Sequence, residues 1–366
     1  MKTVAFVGAH DLMVPYINSL TPTHHVVVYE NGTFNVPLAD AVTMRPLPKK
    51  VFGLQNFFKG ETSLPWYMTG LGKSLQSDKP DDIIVLDFIR LWYLQVLWFR
   101  VWHKNTNVHL YSESKRIPPT LTSKIAFFVF VAILICTQKL VKNFFVFTEQ
   151  GILFTKRLGI TIPTILLPAP VDVGNFQPAS NKKYLNDGIL HILINARYVE
   201  YKRHEDVFRA CQMCKDTGMK ISLTCIGRGN QDGLSYIQNL AKKYGVLELT
   251  TFRDPVDRQT IPRLYDTIDL LVLASDNEAI GMVVPEAMAC GVPTVTSDTV
   301  GANTYVLPGK TGLIFKTKNV NELANAIKHF YSKAILERAG IEARNHIESL
   351  FTTDNLKNII LDKISK

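Results

Sequence analysis

Cysteine is scarce and oddly numbered here: five in 366 residues, too few and too scattered for a disulfide framework. A reducing, cytoplasmic setting is the expectation. Cys211 and Cys214 form a C-x-x-C, but it lies in a helical pattern over Val207–Lys215 with no second pair. Two thiols packed at a helix face are expected there rather than a zinc or redox centre. Long apolar runs are also lacking. The longest without a charge, Ile125–Cys136, has twelve residues, against about 20 for a spanning helix. It is expected to be a buried helix or a segment dipping into a membrane face. Met1–Gly8 carries one lysine and then TVAFVG, a strand and turn rather than a secretory leader. Charged residues make up 20% and hydrophobic residues 46%, which excludes a disordered or fibrous chain.

The length suggests two domains. The net charge is +9, and it is concentrated. Residues 90–157 hold ten basic side chains (Arg90, Arg100, Lys104, Lys115, Arg116, Lys124, Lys139, Lys142, Lys156, Arg157) against two acids, Glu113 and Glu149. Such a field favours an anionic partner. Trp92, Trp98 and Trp102, with Tyr93 and Phe99, interleave with these cations. One reading makes them core and rim; the other makes them an interface with an anionic membrane surface. No recognition motif accompanies the charge, so nucleic acid is not expected.

Strand-like and helical segments alternate along the chain. Thr3–Val7, a turn at Gly8–Asp11, a helix over Leu12–Leu20 and Val26–Tyr29 open it; Ile83–Leu86, Val108–Tyr111 and Phe144–Phe147 follow. Residues 31–80 show no clear period. Strand Ile165–Leu167 runs into Pro168-Ala169-Pro170-Val171-Asp172, where proline and falling hydrophobicity mark a boundary. A second alternation then runs from His191 to Phe315, and helices from Val320 and Leu336 follow. The reading is α/β: two Rossmann-like domains facing each other across a cleft. Residues 1–172 form an N-terminal domain, 173–345 a C-terminal domain, and 346–366 a C-terminal helix with a path back to the first. In such sheets ligands bind beyond the carboxyl ends of the strands.

The richest loop follows a buried strand ending at Ala274. Ser275–Gly281 is polar and contains Glu278; a helix with Pro285 and Glu286 in its first turn comes next. Backbone amides around Gly281–Val284 would point at an anion. Glu286 can be read as an acceptor for two sugar hydroxyls or as a carboxylate stabilised at a helix start. The spacing Glu278-x7-Glu286 followed by Ala287-Met288-Ala289-Cys290-Gly291-Val292-Pro293 resembles the signature of family 4 retaining glycosyltransferases (glycosyl transferases group 1, GT-B fold). Arg197 with Lys202 resembles G-R-x4-K, with Ala196 in place of glycine. Ile226-Gly227-Arg228-Gly229 resembles I-G-x-G. Phe252–Val256 resembles F-x-G-x-V, with Asp254 at the glycine. Leu264-Tyr265 with Asp269 matches L-Y-x3-D, and Pro168–Phe176 resembles the interdomain linker.

The resemblance implies transfer of a sugar, with retention, from a nucleotide-sugar donor bound by the C-terminal domain to a glycan or lipid-linked acceptor bound by the N-terminal one. Arg197 and Lys202 would clamp the donor diphosphate, with Glu278 near the donor sugar and Glu286 on the ribose. Gly281, Met282 and Val283 would offer amides to sugar and phosphate; Gly227, Arg253 and Val256 would border the base. Gly8, in the loop after the first strand, would approach the donor phosphate. Near the reacting sugar the candidates are His109 and, closer to the strand end, Glu113, which could instead pair with Lys115 or Arg116. No D-x-D triplet is present, so no metal or other cofactor is expected. The alternative is a non-catalytic GT-B scaffold subunit.

Overall fold

The structure is a computed structural model that describes residues 1–366 except 31–33, 35, 52–65, 114–116, 118–119, 230, 258–259 and 365–366. It divides into two compact units, Met1–Pro170 with Thr353–Lys366, and Val171–Thr352.

The N-terminal unit carries strands β1 (Lys2–Val7), β2 (His24–Tyr29) and β3 (Thr43–Arg45), a hairpin β4 (Lys49–Val51) and β5 (Trp66–Met68), then β6 (Asp82–Leu86), β7 (Asn107–Ser112), β8 (Asn143–Val146) and β9 (Thr164–Leu166). Its helices are α1 (Val14–Leu20), α2 (Leu71–Asp78), α3 (Leu91–Trp102), α4 (Leu121–Thr137) and α5 (Glu149–Arg157). Seven strands form one parallel sheet, β3-β2-β1-β6-β7-β8-β9. The central strands read as unbroken apolar runs (AFV, IIVL, FFV) because helices cover both faces. Steps β6 to β7, β7 to β8 and β8 to β9 go the same way across the sheet, so right-handed crossovers put α3, α4 and α5 on one face. The step from β1 to β2 goes the other way and puts α1 on the opposite face.

In the C-terminal unit β10 (Leu190–Asn195), α6 (His204–Lys215), β11 (Ile221–Ile226), α7 (Gln231–Lys243), β12 (Thr250–Arg253), α8 (Ile261–Tyr265), β13 (Leu270–Leu273), α9 (Val283–Ala289), β14 (Thr294–Ser297) and β15 (Gly312–Phe315) follow in turn. Helices α10 (Val320–His329) and α11 (Lys333–Leu350) come next. The parallel order β12-β11-β10-β13-β14-β15 is the doubly wound pattern, with its switch point between β10 and β13. Arg344 on α11 donates to the carbonyls of Phe176 (2.6 Å) and Ala289 (2.8 Å), holding the last turn of α9. Cys211 and Cys214 are both buried on α6, and burial pushes both thiols up.

Three expectations change. Position 346 lies inside α11; the break comes at residues 351–352, and α12 (Thr353–Ile364) packs on α1 of the N-terminal unit through Leu356, Ile360 and Ile364. The apolar run Ile125–Cys136 belongs to a longer helical stretch, Leu121–Leu140, whose 20 residues are enough by length and composition to cross a membrane. Its crossover role argues against a span: α4 joins β7 to β8, which pair directly in the sheet. Trp92 is 5% exposed and donates from Nε1 to the Leu86 carbonyl (2.9 Å), so it belongs to the core rather than to an interface with Trp98 and Trp102.

Candidate active site

At the switch point of the C-terminal unit, β10 ends in Asn195 and the chain turns through Arg197 into a short 3-10 turn, Glu200–Lys202. Arg203, left-handed at φ 56°, starts α6 and donates to Asp206 through two nitrogens at 2.8 Å each. This turn puts Lys202 inward and Arg197 outward. Lys202 is buried, its ammonium paired with the Glu278 carboxylate and 5.4 Å from the Tyr201 ring centroid. The exposed Arg197 guanidinium donates to the Tyr201 hydroxyl. The Asp276 amide reaches the Tyr201 carbonyl at 2.8 Å and so ties this turn to the loop after β13.

That loop holds Glu278 firmly. Its carbonyl accepts from Gly301 N at 3.0 Å, and its carboxylate lies 3.5 Å from the Ser275 hydroxyl. Gly281 has φ 83°, and a Cβ there would meet Leu273 Cδ2 at 3.0 Å and Glu278 Cγ at 3.1 Å. A side chain would therefore push Glu278 away from Lys202 as well as strain the turn. Met282 precedes α9, whose Val284 amide returns to the Gly281 carbonyl at 3.0 Å and whose Glu286 amide returns to the Met282 carbonyl at 3.1 Å. Glu286 is buried one turn on; its charge adds to burial in pushing the Tyr265 phenol far up, and Asn195 bonds that phenol. Gly227 approaches the Ala196 backbone so closely that a Cβ would lie 2.1 Å from its carbonyl oxygen. Tyr198 donates to the carbonyls of Cys225 (3.0 Å) and Arg253 (3.2 Å), fixing the strand ends that carry Gly227 and the exposed Arg253 and Val256.

The N-terminal unit has its own cavity at the carboxyl ends of its strands, about 380 Å³, lined by Gly8, His10, Lys49, Asp87, Arg90 and Glu113 among others. Gly8 has φ 78°, and a Cβ on it would meet Trp92 Cζ2 at 2.8 Å. Glu113 Oε1 lies 2.6 Å from His10 Nε2. His10 Nδ1 accepts from Leu12 N at 3.3 Å, which leaves Nε2 on the side of Glu113. Lys115 and Arg116, the alternative partners, lie outside the described residues. His109 is walled into the sheet: Asn143 donates to its Nδ1 at 3.0 Å and its Nε2 faces Asp82 Oδ1 at 3.1 Å. It has no access to a substrate.

Sequence reasoning passed over His10, Asp87 and Arg90. Asp87 sits at φ 58° just after β6, accepts from the Ser112 hydroxyl at 3.1 Å, and is pushed up by burial against the opposing pull of Arg90. The available signal was positional: a polar residue directly after a buried parallel strand.

Residues 176–346 match the family model for glycosyl transferases group 1. Among curated relatives, D-inositol 3-phosphate glycosyltransferase of Paenarthrobacter aurescens is 25% identical over 190 residues, 50% of this chain and 47% of the relative. That of Mycobacterium sp. strain KMS is 34% identical over 105 residues, 28% of this chain and 24% of the relative. The chain thus spans less than half the length of the curated relatives it matches. Solved structures align along nearly its whole length. Sucrose-phosphate synthase from Thermosynechococcus elongatus gives a TM-score of 0.72 at 17% identity, covering 99% of this chain and 98% of that one. Anabaena HepE in complex with UDP and glucose gives 0.72 at 15% identity, covering 100% of both. The likeness to these structures shows the fold, which is GT-B.

Proposed function

We propose, from a chain whose C-terminal unit is of the glycosyl transferases group 1 type, that the protein transfers a glycosyl group from a nucleotide-sugar donor to a glycan or lipid-linked acceptor with retention. The observation that carries this reading is the Lys202–Glu278 pair at the switch point of the C-terminal sheet, with the Arg197 guanidinium and the Lys202 ammonium both lying against the Tyr201 ring. Two cations there suit a diphosphate. Charge grows on it as the glycosidic bond breaks, and fixed cations stabilise that state more than the ground state. Glu278 holds the Lys202 ammonium in place until the donor phosphate competes for it. Gly281, Met282 and Val283 offer amides, Glu286 accepts ribose hydroxyls, and Gly227, Arg253 and Val256 border the base. Gly8, which the resemblance assigns to the donor phosphate, lines the N-terminal unit's own cavity with the His10–Glu113 pair, and that cavity takes the acceptor.

The reaction needs no metal in this reading. Arg197 and Lys202 supply the countercharge. For a lipid-linked acceptor the protein works at the cytoplasmic membrane face. The test is a thermal-shift panel of UDP-, GDP- and ADP-sugars, followed by release of the nucleotide from whichever sugar nucleotide stabilises the protein. Stabilisation with turnover supports transfer; binding without turnover in any acceptor extract supports the scaffold alternative. The anomeric configuration of the product, read by NMR, tests retention.

A further inference from the structure

Crossover helices normally keep one apolar stripe for the sheet beneath them. Helix α4 is apolar on both sides. Phe127, Phe130, Val131 and Leu134 pack inward, while Leu121, Ile125, Phe128, Val129 and Ile135 lie exposed. Its neighbour α3 ends in Trp98 and Trp102, 69% and 70% exposed, with their rings edge to face at 6.0 Å. The two helices lie on the same face of the sheet, and the Tyr93 and Thr137 hydroxyls join them at 3.1 Å. Their outer sides therefore form one surface. Lys104 just past α3, Lys124 on α4, Lys139 just past α4, and Lys156 and Arg157 at the end of α5 on the same face of the sheet are all exposed. Glu149 is exposed nearby; the other acid of the segment, Glu113, turns to His10.

We infer that this α3–α4 face rests on an anionic lipid bilayer. Tryptophan favours the headgroup boundary, and Leu121, Ile125 and Phe128 reach the acyl layer below it. The cations supply the attraction that makes the contact selective for acidic lipid. The helix lies along the surface and does not cross it, because both of its ends return to adjacent strands. The inference gives the proposed lipid-linked acceptor a route to the enzyme and rests on that reading for its purpose; the face itself rests on exposure and charge.

Flotation of the full chain, without donor, on vesicles of phosphatidylcholine alone or with added phosphatidylglycerol tests it. Binding should need the anionic lipid, fall with salt, and quench tryptophan emission when brominated lipid is used. Replacing the exposed pair, Trp98→Ser with Trp102→Ser, should weaken binding roughly tenfold or more with an unchanged melting curve. Leu121→Ser with Ile125→Ser should act likewise, and Lys104→Gln with Lys124→Gln should flatten the salt dependence. No flotation at low salt overturns the inference, as does parental binding by the tryptophan variant. A dimer in solution that this variant dissociates, with no vesicle binding, assigns the face to a second copy and also overturns it. Nucleotide release is measured separately in vesicle-free solution, so a protein that floats but does not turn over refutes the transferase reading alone.

Discussion

His204 opens helix α6, two residues after Lys202, and offers a stability test whose size follows from its surroundings. It is 1% exposed, neither ring nitrogen has a hydrogen-bond partner among the described residues, and it packs against Tyr198 and Phe208 at ring distances of 5.6 and 6.4 Å. Burial, helped by the positive Lys202, pushes it down from 6.5 to about 4. The unfolded chain binds this proton as pH falls below 6.5, and the folded chain refuses it until about 4. Stability is therefore fully present above the unfolded value and lost as pH falls through that window. Between about pH 7.5 and about pH 4.5 the loss from this one group is on the order of 2–3 kcal/mol. His204→Phe keeps the ring and removes the titration. Urea unfolding followed by far-ultraviolet circular dichroism at both pH values should show the variant losing on the order of 2–3 kcal/mol less than the parent, with no loss at the higher pH. All four tryptophans precede residue 103, so their fluorescence follows the N-terminal unit separately. Parallel pH profiles for parent and variant would refute the assignment of a buried, unpartnered imidazole.

The remaining predictions concern the site. Lys202→Ala and Arg197→Ala should each cut turnover by about two orders of magnitude, on the order of 3 kcal/mol; near-normal rates in a folded Lys202→Ala protein remove the diphosphate clamp. Glu286→Gln should chiefly raise the donor's dissociation constant, whereas Glu278→Gln should lower turnover, because it releases the Lys202 ammonium; calorimetry and steady-state kinetics together would expose an exchange of the two roles. Turnover should survive EDTA, and complete loss restored by magnesium or manganese contradicts the metal-free reading. Gly8→Ala should destabilise the N-terminal unit by about 1–3 kcal/mol, from its φ of 78° and the 2.8 Å approach to Trp92. An unchanged tryptophan unfolding curve would sink that argument.

The alternation of apolar runs with helical periods was enough to determine two parallel α/β units, since strands buried on both faces admit few residue types. Thr3–Val7, Ile83–Leu86 and Val108–Tyr111 each fall inside a strand of the sheet, and strand and helix ends shift by a few residues, where caps and not periodicity decide. The loop spacing from Glu278 to Glu286 was likewise legible, because one short loop and one helical turn carry both residues. Long-range partners were not. Nothing in the sequence pairs Lys202 with Glu278 across 76 positions, or brings Glu113 to His10. Trp92 and Trp98 read alike in sequence, yet one carries Gly8 and the other meets solvent. Composition cannot separate them, because which side of α3 meets the sheet depends on the crossover, and only the folded sheet defines that.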